Sequence, residues 1–212
     1  TGTFAVGLLS RIDTNNDKVQ SIVLAPTRDL AIQTGLCIDQ IGKYMNIKTH
    51  TLIGGRSVRK DINILQNSNI HVISGTPGRV LHMLSQNYLN VSNVQTLILD
   101  EADIMLDRGF VEQIYNVFKY LKSSVQVALF SATMPNQCLQ ITKEFMKSPK
   151  IVLLKSDELT LRGISQYYVD VDKTEYKLDV LCDIYETFIV SQAIIFCNKL
   201  KTVRWLEEQM KR

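Results

Sequence analysis

Short apolar runs alternate along this chain with longer stretches whose apolar residues recur at helical spacing. Ser21 to Ala25, Thr49 to Ile53, Ile70 to Ser74, Thr96 to Leu99 and Gln126 to Phe130 are β-forming and too short for helices, so each predicts a buried strand. An apolar helical stretch, Thr1 to Leu9, precedes the first of them. The next helix carries Leu30, Ile38, Ile41 and Met45 on its expected apolar face, and another runs from Ser57 to about Gln66. Thr76 reads as an N-cap with Pro77 at the first helical position of a helix to about Gln86, and a further helix spans about Phe110 to Leu121. Pro135 starts a helix to roughly Lys147, and Ile151 to Leu154 is expected to complete the sheet. Strict alternation of strand and helix implies a parallel sheet covered by helices on both faces.

Lys155 to Gly163 is polar and ends in glycine, which predicts a linker. Beyond it, a strand at Gln166 to Val171, a helix from Thr174 to about Val190, a strand at Ala193 to Cys197 and a helix from Lys201 restart the same alternation. The expected organisation is a first α/β domain over 1–154, a linker over 155–163 and the N-terminal part of a second such domain over 164–212.

Composition narrows the function classes. With 212 residues and 45% hydrophobic content the chain can bury a sizeable core. Its longest apolar runs are far too short to cross a bilayer, so a soluble protein without a membrane partner is expected. A formal net charge of +3 neither demands nor excludes a polyanion, so any nucleic-acid surface must arise from local placement. Cys37, Cys138, Cys182 and Cys197 are widely spaced without C-x-x-C pairing, which argues for reduced thiols in a cytoplasmic or nuclear protein. His50, His71 and His82 lack metal-ligand spacing and read as structural or solvated.

The most informative stretch is V-Q-T-L-I-L-D-E-A-D, where a buried strand stops at Asp100, Glu101 and Asp103. Acidic residues after a strand ordinarily cap the next helix. Three carboxylates within four residues repel one another, however, and are better explained by a divalent cation or a bound partner. One assignment is an Asp holding the Mg²⁺ of a nucleotide, followed by a Glu that positions the attacking water. Four other strands end in Pro26-Thr27-Arg28, Gly54-Gly55, Thr76-Pro77-Gly78-Arg79 and Ser131-Ala132-Thr133. In a parallel sheet all these ends share one side. Helix N-termini attract phosphate, glycines let backbone approach it, and Arg28 and Arg79 can pair with it. Such features grip a backbone rather than base edges, so little sequence preference is expected.

This set resembles the DEAD-box RNA helicases. The matching residues are P-T-R-D-L-A from Pro26, Gly54-Gly55, T-P-G-R from Thr76, D-E-A-D from Asp100 and S-A-T from Ser131, with I-I-F-C-N from Ile194 similar to the first motif of a second domain. The similarity is greatest to the translation initiation factor 4A branch, including its exon-junction relative. It implies two RecA-like domains, ATP and Mg²⁺ as cofactors, and RNA as partner, with translation-initiation or exon-junction scaffolds as further partners of a monomer. Asp100 and Thr1 would hold Mg²⁺, and Glu101 would activate water. Asp103, Ser131 and Thr133 would couple ATP state to RNA grip. Pro26, Thr27, Arg28, Gly54, Gly55, Thr76, Pro77, Gly78 and Arg79 would hold RNA. Thr1 would be the last residue of a phosphate loop whose lysine is absent, so the chain alone is expected to be inactive. Asp29 stands where the family more often has glutamate, and Lys199 follows Asn198 where threonine is usual. The activity implied is RNA-dependent ATP hydrolysis with local unwinding of short duplexes. An ATP-gated RNA clamp within a larger assembly is the alternative, and a DNA helicase a more distant one.

Overall fold

The computed structural model describes residues 1–107, 109–135, 140, 142–143, 146, 148–153 and 163–211. Most of the helix expected from Pro135 to Lys147, Cys138, and 155–162 of the expected linker lie outside the described residues. The chain divides into two compact units, Thr1–Ile151 and Val152–Arg212.

The first unit is built on five parallel strands: β1 (Ser21–Leu24), β2 (Thr49–Leu52), β3 (Val72–Gly75), β4 (Thr96–Asp100) and β5 (Gln126–Phe130). Their order is β2-β3-β1-β4-β5. Ser21 pairs with both Val72 and Thr96, and Thr96 with Gln126, so the strands start in register. The near-continuous apolar runs follow from burial on both faces. Ile22, Leu24, Ile73, Leu97 and Leu99 enter one core, whereas Val23, Val72 and Ile98 point into the other.

Helices α1 (Gly2–Leu9) and α2 (Arg28–Ile41) cover the second of these faces, where Phe4 packs against Phe130 with ring centroids 5.1 Å apart. On the opposite face lie α3 (Val58–Asn67), α4 (Pro77–Ser85), α5 (Ala102–Asp107) and α6 (Val111–Tyr120), which bury Val80, Met83, Met105, Ile114 and Val117.

Helix α2 does not bury the whole apolar face expected of it. Its buried residues are Ala31, Thr34, Gly35 and Ile38, while Ile41 and Met45 are exposed. Small residues win because the helix lies very close to the sheet. A Cβ on Gly35 would come within 2.9 Å of the Thr51 hydroxyl, and Ser74 Oγ donates to the Ala31 carbonyl at 2.7 Å.

Three expected strands are absent among the described residues. Residues 151–153 carry no strand, and Val152 is 89% exposed, so among the described residues the sheet ends at β5. In the second unit a 3₁₀ turn (Thr174–Tyr176) leads into α7 (Lys177–Thr187), and α8 (Leu200–Met210) follows. The runs at 166–171 and 193–197 carry no strand, with Tyr168 and Phe196 open to solvent. A strand needs a hydrogen-bonded neighbour and a covered face, and neither run has one among the described residues.

Candidate functional site

Because every strand of the first unit runs the same way, the segments that follow them leave one edge of the sheet. Read across that edge, Gly54-Gly55 follows β2, Thr76 to Arg79 follows β3 and Pro26 to Arg28 follows β1. Asp100 to Asp103 then follows β4 and Ser131 to Thr133 follows β5. Glycine- and arginine-bearing turns therefore occupy three neighbouring strand ends, and acidic and hydroxyl residues the next two.

The first group encloses a groove of about 550 Å³ lined by Pro26, Thr27, Arg28, Gly54, Thr76, Gly78 and Arg79. Gly55 stands beside it at φ +82, a left-handed conformation that suits glycine, and its absent Cβ leaves room for the Arg28 guanidinium. Pro77 is buried at the start of α4 and does not line the groove. Thr27 caps α2, its hydroxyl accepting from the Leu30 amide at 3.2 Å. Thr76 precedes α4 without a side-chain cap, so its hydroxyl is left for the groove. Two helix N-termini thus open onto one concavity, an arrangement that favours anions. Arg79 is held by Asp61 at 2.5 Å and by the Arg56 carbonyl at 2.8 Å, whereas Arg28 makes no ion pair among the described residues.

Three further lining residues, His82, Phe110 and Gln113, escape a motif search. His82 follows Arg79 by three residues on α4, and Gln113 follows Phe110 by three at the start of α6, so helical spacing was the available signal. Gln113 Oε1 is buried without a hydrogen-bond partner, and a Cβ on Gly78 would approach it to 3.2 Å.

In the second group, Asp100 is 7% exposed at the end of β4. Burial pushes its carboxyl above the usual range, partly offset by hydrogen bonds from the Thr34 hydroxyl and the Glu101 amide. Thr34 Oγ1 donates to Asp100 Oδ2 at 3.4 Å, a contact between residues 66 apart that no local pattern reveals. Glu101 has φ +53 in the turn from β4 to α5. Its carboxyl is also pushed up, by burial first and then by Asp100 and Asp103. Burial also acts to raise Asp103, but hydrogen bonds from Ser131, Thr133 and the Ile104 and Asp103 amides outweigh it and hold the carboxyl low. Thr133 Oγ1 donates to Asp103 Oδ2, which joins β5 to α5 across the site.

Among the described residues no group of three or more His, Cys, Asp or Glu could hold a metal ion by itself. The fit is instead to Mg²⁺ of a nucleotide, which takes one or two carboxylates and completes its shell with phosphate and water. Asp100 and Glu101, crowded and desolvated, are the carboxylates whose charge such a cation would relieve.

The DEAD/DEAH box helicase family profile matches residues 1–141, which takes in both halves of this edge. The chain belongs to that family. It is 48% identical over its full length to eukaryotic initiation factor 4A of Zea mays, spanning 51% of that protein. It is 50% identical to the ATP-dependent RNA helicase eIF4A of Schizosaccharomyces pombe, covering 99% of this chain and 53% of the relative. Among solved structures, S. cerevisiae Dbp5 bound to RNA and ADP BeF3 superposes with a TM-score of 0.85 at 30% identity, over 99% of this chain and 53% of the other. A DEAD box protein from Methanococcus jannaschii gives 0.69 at 30% identity, over 99% and 55%. The chain spans about half the length of the curated relatives it matches. As a DEAD-box helicase chain it carries the parallel, helix-covered sheet expected from its alternating pattern, in the RecA-like form of the family.

Proposed function

We propose that this chain carries the RNA- and nucleotide-binding surface of an RNA-dependent ATPase that remodels short RNA duplexes in the manner of initiation factor 4A. The observation behind this proposal is the shared sheet edge, where a groove with two helix N-termini adjoins a cluster of desolvated carboxylates. In this assignment the groove holds the RNA backbone through the amides that open α2 and α4, through the Gly54-Gly55 turn and through Arg28. Asp100, with Thr1, would hold the Mg²⁺ of ATP, and Glu101 would orient the attacking water and accept its proton. ATP, when bound, supplies the phosphoanhydride whose cleavage resets the RNA grip. Asp103, tied to Ser131 and Thr133, links the nucleotide half of the edge to β5. A cytoplasmic or nuclear setting with RNA as partner follows from this role.

The test is Glu101→Gln in a full-length protein containing this chain. Loss of the base should lower RNA-stimulated ATP turnover by roughly 10²–10⁴-fold while ATP-dependent RNA binding persists. Turnover equal to the parent's would remove Glu101 from the mechanism.

A further inference from the structure

Asp61 belongs to none of the strand-end motifs, yet its carboxylate is 4% exposed and joins several elements. Arg79 Nη1 lies 2.5 Å from Oδ2, and His50 Nε2 lies 3.1 Å from Oδ1. Arg79 also donates through Nη2 to the Arg56 carbonyl at 2.8 Å. The Asp61 carboxylate thus ties α3 to β2 and to the first turn of α4, and through Arg79 to the residue after Gly54-Gly55. Arg28 is in a different situation. It is exposed, has no ion pair among the described residues and lies against the glycine turn, where a Cβ on Gly55 would stand 2.6 Å from Nη1.

We propose that the two arginines of the groove do different work: Arg28 supplies the charge that meets RNA phosphate, while Arg79 is a positioning residue whose charge Asp61 cancels. Arg79 clamps the Gly54-Gly55-Arg56 turn to α4 and so fixes the floor against which Arg28 rests. Moving its guanidinium onto a phosphate would strip the buried Asp61 carboxylate of its guanidinium partner and leave it the His50 contact alone, which is unfavourable. RNA phosphate therefore competes poorly for Arg79. This inference rests on the RNA-binding role proposed above.

Salt dependence separates the two roles, because each phosphate neutralised on a single strand contributes about 0.7 to the slope of log K against log salt. Oligouridine binding to the 212-residue chain is measured between low and moderate salt, with unfolding midpoints recorded for every variant. Arg28→Gln should reduce the slope by about 0.7. The double variant Asp61→Asn with Arg79→Gln removes both charges without stranding either. It should keep the parent slope while weakening binding about tenfold at every salt concentration, through loss of the clamp. Asp61→Asn alone frees the Arg79 charge and should steepen the slope by about 0.7. If the double variant loses as much slope as Arg28→Gln, or if Asp61→Asn leaves the slope unchanged, the division of labour is wrong. A parent chain that binds no RNA removes the RNA assignment and this inference with it. Parent binding with an altered slope in the double variant removes the inference alone.

Discussion

Glu101 is held in the left-handed backbone region between a buried Asp100 and a hydrogen-bonded Asp103. Residues with side chains adopt that conformation at a cost of about 1–2 kcal/mol, and they do so where surrounding structure over-determines them. Here the turn must leave a fully buried strand and enter α5 within one residue. Asp100 adds a second penalty. Its folded-state pKa is raised above the ordinary 3.8, so at neutral pH the folded protein carries a charge it would rather lose. As pH falls through the folded pKa, the folded state takes up a proton before the unfolded state does, and the penalty fades, vanishing below the ordinary value. Asp100→Asn should therefore raise the thermal midpoint at pH 7, and the gain should shrink as pH approaches 4. Calorimetry across that range checks it; a variant less stable than the parent at pH 7 would show that the carboxylate is not strained. The acidic cluster was legible in the sequence because three carboxylates sit together at a strand end. The long-range partners of the site residues were not: Thr34 reaches Asp100 and Asp61 reaches Arg79 from other elements, and such pairing leaves no local pattern.

At the scale of the elements, apolar runs located all five strands to within about two residues, because parallel strands buried on both faces read as continuous hydrophobic segments. The same signal over-called residues 151–153, 166–171 and 193–197, where no strand forms among the described residues, since hydrophobicity reports a capacity for burial while a strand also requires a neighbour. Helix α2 was located, but its buried face was misjudged, because close approach to the sheet selects small residues over large apolar ones. That close approach predicts that Gly35→Leu should destabilise the first unit by about 1–3 kcal/mol through overpacking against Thr51 and Ser74. Leu at exposed position 40, in place of Gln40, should be nearly neutral. Chemical denaturation compares the two; equal effects would mean that α2 does not press on the sheet.

Across the whole first unit, the sheet order does what no single motif can. Placing β2, β3 and β1 together gathers the glycine, Thr-Pro-Gly-Arg and Pro-Thr-Arg turns into one groove, and placing β4 and β5 beside them sets the acidic and hydroxyl residues next door. Along the chain the groove turns at 26–28, 54–55 and 76–79 all precede the segments at 100–103 and 131–133, so the partition in space keeps the order of the sequence. The second unit, Val152–Arg212, carries two helices that match the expected alternation, without strands among the described residues.

RNA gripped on the β2-β3-β1 part of this edge is the proposal on which the assigned roles depend. Single-stranded RNA titrated into the isotopically labelled chain, with backbone amide signals followed by NMR, tests it. Arg28, Gly54, Gly55, Thr76 and Gly78 should shift together and saturate at one RNA concentration, while Gln20, His71 and Gln95 at the opposite ends of the strands stay fixed. Shifts concentrated at Gln20, His71 and Gln95, with the groove unmoved, would contradict it.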